Sequence, residues 1–516
     1  MKPGYSSVTN RLFLILLITS LLLPINYATA EQPSWDENWS YSQQITIPID
    51  TSLEQSTYQP VDLFIEFNSP CWAKNEDHHS IRVCVWHENQ WHELESQIYN
   101  LHSTDSNQIT GCNIVFLIPE FADGTEEYYV YYDDAEKPFP QYTDHVSISE
   151  SYYHYEPISG YPLESAYYKI TDDGIIPYIV SQQGQFMGYN TGQHVTKMLA
   201  NATEVLPKNG DLFAAFDFKY CYDHGLFDYS STSQKLLNKE VFVDGNLMVS
   251  FGMVSTSKFE DLKTTVHYTY YHCPTSTTRM RVQVKHETLT DVKTLSEADT
   301  DGVFASLQSG GVKSDSIEDL NIGSILPYMH FINEYNEIFS YDLDKDPEYI
   351  PEDPDIRVVS HEDDVDLGNQ PWVSFDEGKQ GLAHAVLFHS NQVLVSGSNE
   401  RDGLQLNAFQ MDYPHLPGLE NNIATIQVGR NSFEPNQGHD ISMPNNMVVE
   451  FDAEFFTTRS ESIDGVKKEA EIYNEIIDET DSVTEEYNDD AEDSENYELT
   501  VNVHFTPSFP LGSALS

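Results

Sequence analysis

The chain is expected to be all-β, a small antiparallel β-sandwich followed by a large β-supersandwich with a short acidic helical insertion. Three observations predict this. Apolar side chains recur at every second position over most of the length, turn residues cut these runs into short segments, and helical periodicity occurs in only one stretch. Hydrophobic content of 39% with 12% aromatics is enough for sizeable cores and argues against global disorder.

Residues 1–30 read as a secretory signal. Lys2 and Arg11 supply a positive start, Leu12–Leu23 an apolar run, Pro24 a break, and Ala28-Thr29-Ala30 the small residues of a cleavage site. The run is shorter than the ~20 apolar residues that span a bilayer. Cleavage therefore leaves a chain with no transmembrane segment, secreted or at the cell surface, with a retained N-terminal anchor as the alternative. Export permits disulfides. Cys71, Cys84 and Cys112 suggest one bridge among them, Cys221 and Cys273 suggest a second, and the odd count leaves one thiol over.

The small sandwich is expected over 31–142. Ile45, Ile47 and Ile49 fall at every second position, as do Val61, Leu63, Ile65 and Phe67, then Ile81, Val83 and Val85, then Ile114, Phe116 and Ile118. Tyr128–Tyr132 closes the series. A connector with Tyr152, Tyr153, Tyr155 and Tyr161 is expected over 143–166. The large supersandwich follows over 167–460, with many strands punctuated by glycines such as Gly245, Gly310, Gly311 and Gly418. Val466, Ala470, Tyr473 and Ile477 fall at three- and four-residue spacing after Ser462 and Asp464, which predicts a helix leading into an acidic segment over 461–498. Leu499, Val501, Val503 and Phe505 suggest a last strand within 499–516.

Two resemblances sharpen this reading. A Trp-led first strand, the Ile81-Arg82-Val83 strand, Trp91-His92-Glu93-Leu94, Phe116-Leu117-Ile118-Pro119 and the close on Tyr131-Tyr132-Asp133-Asp134 resemble small β-sandwich modules of archaeal and bacterial surface proteins. Those modules end Tyr-Tyr-Gly-Asn, so Asp133-Asp134 is a departure. They accompany carbohydrate-active and adhesive proteins and carry no catalytic residues to transfer. Gly245–Ser250, His267–His272, Arg279–Val284, Lys379–His384 and Phe388–Asn391 resemble the β-supersandwich of galactose-mutarotase-like proteins, which include polysaccharide lyases and glycoside hydrolases. The likeness is one of fold and implies a polysaccharide or surface glycan as partner.

Charge excludes whole classes of function. With 26 basic and 83 acidic residues the net charge is −57, so nucleic acid is not a partner and anionic membrane surfaces are disfavoured. Serine-hydrolase, phosphate-loop and zincin motifs are absent.

The Thr264–Glu287 hairpin is where chemistry would sit. Only eight arginines occur in the chain, yet Arg279 and Arg281 lie two apart, with Lys285 in phase, so alternation puts all three on one face. Lysis of an acidic glycan needs cations to neutralise the uronate carboxylate and a base to take the adjacent proton. His267 or Tyr271 on the partner strand would be that base. The plain alternative is a solvated strand face whose bases pair with acids, in a non-catalytic adhesive or structural envelope protein. Carboxylate-pair hydrolysis by Asp376 and Glu377, against a simple turn, is a further possibility. Asp342, Asp344, Asp346 and Glu348 present alternate oxygen donors suited to structural Ca2+, or a plain acidic turn. Pro347 stands where an EF-hand needs glycine.

Overall fold

The computed structural model describes residues 33–105, 107–158, 161–186, 189–191, 194–198, 211–217, 234–257, 260–293, 303–312, 326–343, 348–350, 353–358, 365–390, 394–396, 404–412, 422–429 and 442–485. The expected signal segment, Cys221 and the expected terminal strand lie outside them. The chain divides into two compact units, 1–40 and 41–516. In the first, Trp35 and Trp39 pack ring against ring at 5.6 Å. The second contains both sandwiches, which form a single body rather than beads on a linker.

The small sandwich pairs a four-stranded sheet with a three-stranded one. The first runs Tyr41–Ile45, Glu127–Tyr132, Ile81–His87, Gln90–Leu94. The second runs Pro60–Trp72, Gln108–Leu117, Ser96–Asp105, and both are antiparallel. The alternating residues meet as expected. Val61, Leu63, Ile65, Val83, Val85, Ile114, Phe116 and Val130 are buried together.

The large sandwich packs a ten-stranded sheet on a twelve-stranded one. The centre of the ten-stranded sheet is the antiparallel succession Met248–Ser257, Leu262–Tyr271, Thr277–Thr288, Val448–Thr458, Ala383–Phe388. Its inner face contributes Phe251, Tyr268, Val282, Phe375 and Phe455. Tyr168, Ile170, Tyr178 and Val180 of the facing sheet complete the core.

The stretch 143–166 is not a connector. Val146–Ile158 and Tyr161–Asp172 form a long hairpin at the edge of the twelve-stranded sheet. Tyr is a good strand former, so a Tyr-rich stretch serves as sheet as readily as linker. Tyr167 and Tyr168 are buried, and Tyr152 is exposed.

The expected helix forms over Ser462–Glu485. Ile463, Val466, Ala470 and Tyr473 seat on Trp372, Ala383, Ala385, Leu387 and Phe456, the outer face of the ten-stranded sheet. Ile472, on the other side of the helix, enters the core of the small sandwich. Among the described residues no helix is long and apolar enough to cross a membrane.

The disulfide expectation fails for the described cysteines. Cys71, Cys84, Cys112 and Cys273 are all free and buried. Alternation explains part of this, because Val83 and Val85 take the core side and Cys84 the opposite side. Burial pushes the Cys71 thiol up to about 12, so these cysteines act as small apolar residues.

Candidate functional site

Register gathers all five expected site residues on the outer face of the ten-stranded sheet. Tyr271 stands opposite Arg279, Thr269 opposite Arg281, His267 opposite Gln283, and Thr265 opposite Lys285. On the other flank, Phe456, Glu454, Asp452 and Glu450 stand opposite Arg279, Arg281, Gln283 and Lys285. The face therefore carries a carboxylate for nearly every cation.

What lies over this face decides what it can do. Arg279 is 5% exposed and its guanidinium meets the Glu469 carboxylate of the helix through Nε–Oε1 at 2.6 Å and Nη2–Oε2 at 2.8 Å. Gln59 of the small sandwich donates to the same carboxylate at 3.0 Å. Arg281 donates from Nε to Glu454 at 3.3 Å and stacks over the Tyr271 ring at 5.2 Å. Tyr271 gives its hydroxyl proton to Asp62 at 2.9 Å, and Tyr99 and Asn113 also donate to Asp62. Gln97 adds a last tie, accepting from the Leu247 and Met248 amides at 2.8 Å. A Cβ at Gly245 would overlap the Gln97 amide and force it to move.

Burial and charge set the protonation of this junction. Desolvation, with the neighbouring Glu469 charge, pushes the Glu454 carboxyl up to about 8. Glu469 is held below the usual carboxylate range, since Arg279 and hydrogen bonds outweigh its desolvation. Desolvation raises Asp62 against the pull of its hydrogen bonds. The result is a closed network, in which the buried charges of Arg279 and Glu469 are tolerable because they pair with each other.

Away from the junction the face opens. The side chain of Lys285 is 32% exposed and lies 3.5 Å from both Glu287 and Glu450. His267 lies 3.1 Å from the Ser250 hydroxyl and edge-on to Phe242, and burial lowers its pKa, which favours neutral imidazole. The carboxylates at the Gly378–Gly381 turn are also engaged. Asp376 accepts from His330, Ser374 and the Gly378 amide, and Glu377 from the Leu382 amide. Asp342, half-buried, pairs opposite Tyr328. Asp344, Asp346 and the Glu348 side chain lie outside the described residues.

A second surface escaped sequence reasoning. Trp86 and Trp91 flank a two-residue turn in which Glu88 and Asn89 have φ of 49° and 62°, the left-handed geometry of a tight hairpin. They are therefore cross-strand partners on one face. The Trp91 ring lies 5.1 Å from Trp86, 5.3 Å from Tyr129 and 5.6 Å from Tyr131, edge-on to both tyrosines. Trp86, Trp91 and Tyr129 are half-buried. Arg82 and Glu93 pair beside them at 3.1 Å, and Tyr142 donates to Glu93 at 2.8 Å. The usable signal was two tryptophans placed symmetrically about a turn.

No protein-family model matches the chain, and no curated protein matches it. Several solved structures show a weak similarity. An α-galactosidase from Geobacillus stearothermophilus is 10% identical over 55% of this chain and 40% of its own, with a TM-score of 0.30. A galactose mutarotase related enzyme from Lactobacillus acidophilus is 12% identical over 55% of this chain and 94% of its own, at 0.25. An α-mannosidase from Enterococcus faecalis is 9% identical over 84% of this chain and 45% of its own, at 0.36. The chain thus spans two fifths of the length of the α-galactosidase. Likeness at this level assigns no activity.

Proposed function

We propose that the protein is exported and binds polysaccharide outside the cytoplasm, with Trp86, Trp91 and Tyr129 as the platform on which sugar rings rest. The observation that carries this reading is the half-buried ring cluster on the outer face of the four-stranded sheet. Indole and phenol faces take the C–H side of a sugar, and the partly exposed Glu93 carboxylate beside them offers an acceptor for hydroxyls. A chain with net charge −57 suits neutral glycans better than polyanions. Titration calorimetry of the purified protein against neutral and uronate-containing glycans tests it. The expected result is binding to a neutral glycan that weakens about tenfold in Trp86→Ala and in Trp91→Ala. Unchanged binding by both variants, or none across the panel, removes the platform.

Cleavage by the Thr264–Glu287 hairpin is the second reading. Its support is the register that sets neutral His267 on one face with Arg279, Arg281, Lys285 and Tyr271. Against it, a uronate would have to displace Glu469, Glu454 or Glu450 from those cations. Ultraviolet absorbance of unsaturated products, with His267→Ala as the control, separates lysis from binding. Structural Ca2+ on Asp342, Asp344, Asp346 and Glu348 belongs to the same proposal, on the strength of their hard oxygen donors.

A further inference from the structure

A different cluster sits where the small sandwich meets the large one. His145 follows the small sandwich, Asp172 and Asp173 close the strand Tyr161–Asp172, and His272 follows the strand Leu262–Tyr271. The His145 and His272 rings stack at 4.1 Å, 12° from parallel. His145, Asp173 and His272 each bring one donor atom to within 4.8 Å of the other two. We propose that these three side chains hold a divalent transition-metal ion of the Zn2+ class, one that nothing in the sequence pattern announces.

The surrounding hydrogen bonds fit that role. A metal-bound imidazole presents one nitrogen to the ion and donates from the other, most often to a carboxylate. Both histidines have such a carboxylate. His272 Nδ1 lies 2.6 Å from Asp172, which leaves Nε2 for the ion. His145 Nε2 lies 2.9 Å from Glu95 of the small sandwich, which leaves Nδ1, and Nδ1 is 2.9 Å from the Asp173 carboxylate. Asp172 is itself fixed, accepting from the Tyr270 hydroxyl at 2.6 Å and the Cys273 amide at 3.1 Å.

The backbone is fixed as well. Asp173 and Gly174 form a tight turn, with φ of 46° and 79°, closed by reciprocal bonds between Asp172 and Ile175. The Asp173 amide donates to the His145 carbonyl at 2.9 Å. Donor atoms around tetrahedral zinc stand roughly 3.3 Å apart, with metal–nitrogen bonds near ~2.0 Å. Binding therefore asks the three to close by at most about 1.5 Å and the stacked rings to tilt.

Donor chemistry selects the ion. Two imidazoles and one carboxylate suit Zn2+ and its borderline neighbours, whereas Ca2+ prefers six to eight oxygens. Three protein ligands leave a coordination position for water. The Asp173 side chain is 55% exposed, so that position opens outward. With Glu95 on one sandwich and Asp173 and His272 on the other, the ion would also tie the two together.

The test uses the full chain, stripped by a chelator and titrated with Zn2+ by calorimetry. The expected result is one equivalent bound at micromolar affinity or tighter, with a higher melting temperature when loaded. Asp173→Asn and His272→Ala should each weaken Zn2+ at least tenfold and leave any Ca2+ uptake on the Asp342 loop unchanged. Asp173 is exposed, so its variant keeps the test valid if His272→Ala does not fold. No Zn2+ bound, or Zn2+ bound equally well by Asp173→Asn, overturns the proposal.

Discussion

Arg279 and Glu469 form a two-point ion pair with both side chains buried, and such pairs are worth most when one member is removed. Arg279→Met leaves Glu469 charged in a closed space without its cation, held by hydrogen bonds from Gln59 and Glu454 alone. The expected cost is about 3–5 kcal/mol in denaturant unfolding. Replacing both partners with apolar residues of similar volume should restore most of that loss. Glu454 carries the complementary prediction. Its pKa in the fold, about 8, lies above the ordinary value of 4.5, so the fold binds a proton that the unfolded chain releases. That contribution is fully present below about 4.5 and is lost as pH rises through about 8. Glu469 runs the other way. Its lowered pKa contributes stability above the unfolded value, lost as pH falls through the folded one. Glu454→Gln cannot ionise, so its unfolding midpoint should decline less than the parent's between about pH 5 and 8. Parallel curves would show that Glu454 is not the titrating group.

At the scale of elements, the helix Ser462–Glu485 acts as a keystone. One side meets the ten-stranded sheet through Val466 and Ala470, while Ile472 plugs the small sandwich. Ile472→Ala should cost about 2–5 kcal/mol. Limited proteolysis should then cut first between the sandwiches, around 133–145. Cuts scattered over both sandwiches would argue against a separate loosening of the small one. The helix shows what was legible in the sequence. Val466, Ala470 and Tyr473 announced a buried stripe, and the two-residue rhythm announced the sheets and even the shared face of Arg279, Arg281, Lys285, His267 and Tyr271. What covers that face was not legible. Asp62 meets Tyr271, and Gln59 meets Glu469, across 209 and 410 positions of chain, and no local period encodes such a meeting. A polar strand face reads the same whether water or a second sandwich lies over it. The junction histidines were hidden similarly, since His145, Asp173 and His272 are neighbours only after three segments fold together.

The whole molecule must reconcile a closed junction with a composition of 83 acids against 26 bases. Pairing consumes several of the few cations inside the fold. Arg279 and Arg281 are spent on Glu469 and Glu454, and Arg82 is spent on Glu93. Each pair removes one charge of either sign, so the exterior keeps the excess of acids that the composition implies. Repulsion among exposed carboxylates acts over a Debye length, about 10 Å at 0.1 M salt and about 3 Å at 1 M. Compactness gathers those charges and unfolding spreads them, so the repulsion opposes the folded state. Added salt relieves it, whereas the buried pairs are shielded from solvent and lose little. The melting temperature should therefore rise with sodium chloride, most steeply below about 0.3 M, where the Debye length shrinks fastest. Arg279→Met should show the same slope at a lower temperature, because its lesion is internal. A melting temperature that falls with salt would mean that exposed ion pairs, rather than net repulsion, dominate the surface, and the preference for neutral glycans argued from net charge would lose its basis.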